Sequence, residues 1–171
     1  EICNQAKNTQ QKWKLTTISE RIKVIMTAMN YFKSNSNKIA QNITKQMGKP
    51  ISQSYNEIRV MIQRAEKMCA LAEESLKIVK LTESDGIERF IQREPLGVIL
   101  NIPAWNYPLL TAVNVIIPSI LAGNSVIIKP ATDTPLSAIK LTEILLEAGV
   151  PPEAVQCLTG TGADIGDALV S

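Results

Sequence analysis

Histidine is absent from all 171 residues. The usual histidine-based metal sites and histidine general bases are therefore excluded, and no metal is expected. A surplus of one charge is also lacking: 18 Lys plus Arg against 16 Asp plus Glu leave a formal net charge of +2. That balance fits neither a nucleic-acid binder nor a disordered tail. No uninterrupted apolar stretch approaches the roughly 18 residues of a membrane span, and no secretory signal pattern is present. The expected setting is soluble and reducing, hence cytoplasmic, with no nucleic-acid or membrane partner. Only three cysteines occur. Cys3 lies in a polar leading segment, Cys69 on the apolar face of a helical stretch and Cys157 in a strand-like run, so each reads as an unpaired, non-catalytic thiol.

What is present is unevenly distributed. Residues 1–94 carry 16 of the 18 basic and 10 of the 16 acidic residues, whereas residues 95–171 carry two lysines and six acids. The change marks a passage from solvated helices to a buried sheet. In the first part, Ile18, Ile22, Ile25, Met26 and Met29 form a helical stripe with Thr17 or Ser19 as cap. Ile39, Ile43 and Met47 form another, closed by Gly48-Lys49-Pro50, with Gly48 at the helix end and Pro50 in the first turn of the next helix. Tyr55, Ile58, Ile62, Ala65, Cys69, Ala72, Leu76 and Val79 predict one long amphipathic helix from Ile51 to about Lys80. Ser84-Asp85-Gly86 is a turn signal. Residues 82–94 read as a connector, or as a ribbon that leaves the globule to pair with another subunit.

The second part alternates strands and helices. Val98-Ile99-Leu100, Ser125 to Lys129 and Val155 to Leu158 are short apolar runs; Leu109 to Leu121, with Pro118 inside it, and Leu136 to Ala148 lie between them. Such alternation implies an α/β fold with a parallel sheet covered on both faces. Ligands of these sheets bind beyond the carboxyl ends of the strands. Three segments fall there: Ile102 to Tyr107, Lys129 to Pro135 and Gly160 to Gly166. The GxGxxxG spacing of the last differs from the usual dinucleotide fingerprint, and its glycines mark either a ligand contact or a helix start.

Several of these segments together are recognisable. Arg93-Glu94-Pro95-Leu96-Gly97-Val98, Ile102-Pro103-Ala104-Trp105-Asn106-Tyr107-Pro108-Leu109, Ala122 to Pro130, Ala148 to Val155 and the following glycine loop resemble the aldehyde dehydrogenase superfamily in order and spacing. The Gln46-Met47-Gly48-Lys49-Pro50 turn fits upstream. The resemblance implies oxidation of an aldehyde to a carboxylic acid with NAD or NADP, by way of a cysteine thiohemiacetal and thioester. It implies N-terminal helices over residues 1–81, a connector or oligomerisation β-ribbon over 82–94, and a Rossmann-like NAD(P)-binding core over 95–171, incomplete at the C-terminus. The nucleophilic cysteine and the general-base glutamate are expected downstream of Ser171, so the 171 residues by themselves are expected to be inactive.

The same resemblance assigns roles. Asn106 donates its side-chain amide to the oxyanion, a donor that needs no titration. Lys129, ending an apolar strand, holds the adenosine ribose. Trp105 lines the phosphate region, Ile102, Pro103 and Ala104 contribute backbone and apolar surface to the same groove, and Gly162 and Gly166 belong to the cofactor loop. Thr132 stands where many NAD-preferring members have a glutamate; without that carboxylate the repulsion of a 2′-phosphate is gone, so NADP is tolerated. The expected partners are a small-molecule aldehyde and further copies of the chain, as homodimer or homotetramer. Two alternatives stay open: a member that passes the acyl group to coenzyme A or acts on a phosphate semialdehyde, and a noncatalytic nucleotide-binding or assembly fragment.

Overall fold

The computed structural model describes residues 1–83 and 86–170; Ser84 and Asp85 of the expected turn lie outside them. The chain begins with helix α1 (Ile2–Trp13), where the sequence displays only a polar leading segment. Ala6, Gln10 and Trp13 recur at helical spacing and face inward. Gln10 conceals that stripe: it is buried as a polar group, donating from Nε2 to Gly123 O at 3.0 Å. Helix α2 (Ile18–Ser34) carries the expected aliphatic stripe. Its start is a capping box, in which Thr17 Oγ1 accepts from Glu20 N at 3.2 Å and Glu20 Oε2 accepts from Thr17 N at 2.7 Å.

Helix α3 (Ser36–Met47) ends on Gly48, whose φ of 74° is left-handed and suits glycine. Pro50 is then the extended N-cap of α4 (Ile51–Leu76), not a residue of its first turn. Helix α4 stops short of Lys80, because Val79–Lys80 form β1, which pairs antiparallel with β2 (Phe90–Ile91). The ribbon leaves Ile87, Phe90 and Ile91 exposed.

The second part builds a parallel sheet in which β3 (Val98–Asn101), β4 (Ser125–Ile128) and β5 (Val155–Cys157) lie side by side in chain order. The register places Asn101 opposite Ile128 and Ile128 opposite Cys157. Central β4 is buried at every residue, which explains its unbroken apolar run. Helix α5 (Pro108–Leu121) joins β3 to β4 and runs through Pro118; α6 (Pro135–Glu147) joins β4 to β5. A 3₁₀ turn, Pro152–Ala154, precedes β5, and α7 (Gly162–Val170) follows it. Helices α5 and α6 pack on each other and on α2, with α4 beyond α5, while α1 packs on β4 and β3. Their shared core gathers Phe32, Ile58, Met61, Ile116, Ile120, Ile128 and Leu141. This is the expected α/β architecture: N-terminal helices and a Rossmann-like parallel sheet flanked by helices.

The capping box also sets a pH dependence. The Thr17 amide and hydroxyl, bonding to Glu20, hold its exposed carboxyl below the ordinary 4.5. A lowered carboxyl contributes stability above its unfolded pKa and loses it as pH falls through the folded value. Thr17→Ala is expected to cost about 1 kcal/mol at neutral pH by urea denaturation, with the deficit relative to wild type shrinking in acid. The Thr17 amide bond to Glu20 survives the substitution, so an equal deficit at neutral and acid pH would contradict the contribution of the Thr17 hydroxyl to the ionised Glu20.

Candidate functional site

Backbone hydrogen bonds align the loops at the carboxyl edge of the sheet. Lys129 N donates to Asn101 O at 2.9 Å, and Leu158 N donates to Ile128 O at 2.8 Å. The segments after β3, β4 and β5 therefore leave the sheet side by side, which is where helix N-termini and loops of such folds meet a ligand. All three segments selected from the sequence fall on this edge.

Along the first segment, Pro103 is buried and Ile102, Ala104, Trp105 and Asn106 are exposed. Trp105, at 56% exposure, presents most of its ring outward. The loop is tied to α5 by Thr111, whose hydroxyl lies 2.8 Å from Tyr107 O and 3.2 Å from Ala104 O. Asn101, buried at its base, donates from Nδ2 to Ala112 O at 3.2 Å. On the second segment Lys129 is buried to 8% exposure, with Nζ donating to Pro130 O at 3.2 Å. An ammonium has three donors, so this bond leaves two for another acceptor. Thr132 and Asp133 are both exposed beyond it.

The glycines of the last segment have different surroundings. A Cβ on Gly160 would meet Ile165 Cδ1 at 2.9 Å, so a side chain there would require the half-buried Ile165 to shift. At Gly162 and Gly166 a Cβ would meet nothing within 4 Å. Gly162 opens α7, and Thr161 caps it by accepting from Asp164 N at 3.2 Å. The helix start is thus present; Gly162 leaves bare backbone at its positive dipole end, and Gly166 leaves open space one turn further on.

A charged cluster beneath the first loop escapes sequence reasoning. Lys49 Nζ and Glu57 Oε2 form an ion pair at 2.5 Å, with side chains only 7% and 0% exposed. The other Glu57 oxygen accepts from Leu109 N at 2.9 Å and Leu110 N at 3.2 Å, the orphan donors of the first turn of α5. Lys49 Nζ also lies 4.1 Å from the centre of the Tyr107 ring. Their separation by eight positions in sequence, across a helix start, carries no periodic signal; only the buried position of Glu57 on the inner face of α4 would have flagged it.

None of the three cysteines enters this edge chemistry. Burial pushes the thiols of Cys69 and Cys157 up to about 11, so both are protonated at neutral pH, and Cys3 is exposed on α1. Among the described residues no cluster of three or more Cys, Asp or Glu is arranged to hold a metal, and no helix is long and apolar enough to cross a membrane.

Comparison with known proteins agrees with this arrangement. The family model for the aldehyde dehydrogenase family matches residues 1–171. The chain is 33% identical over 178 residues to NADP-dependent glyceraldehyde-3-phosphate dehydrogenase of Pisum sativum, covering 98% of this chain and 35% of the relative's length. It is 34% identical over 171 residues to betaine aldehyde dehydrogenase 2 of Rhizobium meliloti (strain 1021), covering 97% of this chain and 34% of the relative. The structure of NADP-dependent glyceraldehyde-3-phosphate dehydrogenase from Bacillus halodurans C-125, complexed with NADP, superimposes with a TM-score of 0.92 at 32% identity, covering 99% of this chain and 37% of that one. The chain spans about a third of the length of these relatives. With a whole-length family match and a superimposable fold, it belongs to the aldehyde dehydrogenase family.

Proposed function

We propose that the whole protein oxidises an aldehyde to a carboxylic acid and that these residues supply its cofactor-binding edge and one oxyanion donor. The observation that carries this reading is the alignment of the Asn106 loop, Lys129 and the Gly162 helix start at one edge of a parallel sheet. The residues fit a dinucleotide: Lys129 has donors to spare, and Gly162 and Gly166 leave open backbone where side chains would intrude. Its cofactor is NAD or NADP, which when bound supplies the hydride acceptor. Lys129 is the group that holds the adenosine ribose, Trp105 with Ile102, Pro103 and Ala104 forms the wall along the phosphates, and Gly162 and Gly166 admit the pyrophosphate to the start of α7.

In this reading a cysteine outside these residues adds its sulfur to the aldehyde carbon, producing a thiohemiacetal with charge on oxygen. Asn106 donates its amide to that oxygen and lowers the barrier without a proton transfer. A glutamate, also outside these residues, activates the water that releases the acid from the thioester. The 171 residues alone have no turnover. Thr132, with the NADP-dependent relatives, supports use of NADP: no carboxylate stands at that position to repel a 2′-phosphate.

Three measurements test the reading. Asn106→Ala in the whole protein is expected to lower kcat by about 10²- to 10³-fold with cofactor affinity nearly unchanged; a large loss of cofactor binding with normal single-turnover chemistry would make Asn106 a cofactor-loop residue instead. Thr132→Glu is expected to lower kcat/KM for NADP more than for NAD, and equal changes would remove Thr132 from the ribose. The exposed Ile87, Phe90 and Ile91 on a two-strand ribbon support assembly into a homodimer or homotetramer, since an isolated ribbon is marginal. Charged substitutions at Ile87 and Ile91 are expected to dissociate the oligomer in light scattering; a wild type already monomeric would exclude this role.

A further inference from the structure

We propose that Lys49 and Glu57 are positioning residues for Asn106, a role that rests on the oxyanion function argued above. Asn106 itself is exposed on a loop, where an amide has many orientations available. Residues immediately after it are gripped from below by the α3–α4 turn and α4. Lys49 sits 4.1 Å from the Tyr107 ring centre, and Glu57 accepts from the amides of Leu109 and Leu110. Pro108, between them, has its φ fixed by its ring. The segment 107–110 is therefore held at three of its four residues, and the fourth has little freedom to turn.

Stability alone does not account for this arrangement. A buried ion pair is often matched or bettered in stability by an apolar pair of the same volume. What an apolar pair lacks is direction. The carboxylate addresses two particular N–H groups at the positive end of α5, and the ammonium addresses both that carboxylate and one ring face. Together they fix where the first turn of α5 begins, and hence where the Asn106 amide is delivered. Reaction rates are sensitive to such placement: a displacement of about 1 Å can cost on the order of 10²-fold.

The test is a double-mutant cycle on kcat in the whole protein with aldehyde and NADP. Tyr107→Leu removes the ring contact and keeps the buried ion pair; Glu57→Gln keeps the shape and removes the charge. Each is expected to lower kcat by about 10- to 100-fold with the NADP dissociation constant nearly unchanged, and to add almost nothing once Asn106→Ala is present. In the cofactor-free protein, Glu57→Gln is expected to speed hydrogen exchange at the Leu109 and Leu110 amides. Losses that persist in full on the Asn106→Ala background, or exchange that does not change, would overturn the positioning role while leaving aldehyde oxidation intact. Wild-type protein without aldehyde turnover would overturn the oxyanion reading and this proposal with it. If Glu57→Gln fails to fold, the Tyr107→Leu arm decides the kinetic question by itself.

Discussion

Both ends of α5 must be satisfied inside the protein, and the rest of the fold is arranged around that requirement. The helix is almost wholly apolar, and Pro108 and Leu109 at its start and Ile120 and Leu121 at its end are buried, so little water is at hand for the N–H and C=O groups that its termini leave unpaired. At the amino end Glu57 accepts from Leu109 and Leu110. At the carboxyl end Trp13 donates from Nε1 to Ile120 O at 3.2 Å and Arg21 from its guanidinium to Leu121 O at 2.8 Å. A negative group thus meets the positive pole of the helix and a positive group the negative pole. Burial lowers the pKa of Arg21, an effect that neighbouring Glu20 opposes; further bonds to Lys14 O and Thr16 O satisfy the guanidinium. Removing one member of the Lys49–Glu57 pair would leave a buried charge unmatched, at a cost of roughly 3–5 kcal/mol.

Helices α1, α2 and α4 each contribute a side chain to these two ends, so the N-terminal helices are not a separate layer beside the sheet. They are the means by which a polar backbone is buried. The carboxyl edge of the sheet inherits that order: β3 runs directly into the Asn106 loop and then into α5, while Asn101 joins the base of the loop to Ala112. The exposed part of the edge can consequently remain open while its base is buried.

The fold was legible where burial is apolar and periodic. The stripes of α2, α3 and α4, the three strand cores and the helices between them are all visible in the spacing of aliphatic residues, and Gly48 and Thr17 mark their boundaries chemically. Helix α1 was not, because one of its three inward residues is glutamine. The extra length expected of α4 was taken by β1, since Val79 suits a helix stripe and a strand equally. At the edge, the exposed loop residues and Lys129 were recognisable as a set, but Glu57 was not: a carboxylate among exposed charges on a long helix looks like solvated surface until the helix is docked.

Helix α1 also has a consequence for how the protein is made. Its partners are very distant in sequence: Gln10 bonds to Gly123 and Ser125 Oγ donates to Ala6 O. During synthesis the inner face of α1 stays without these partners until more than a hundred further residues have been added. Such distant closure slows folding and prolongs exposure of Trp13. The polar side chains that cover most of α1, and that hide the helix from a reader of the sequence, disfavour association of such a segment through its uncovered face.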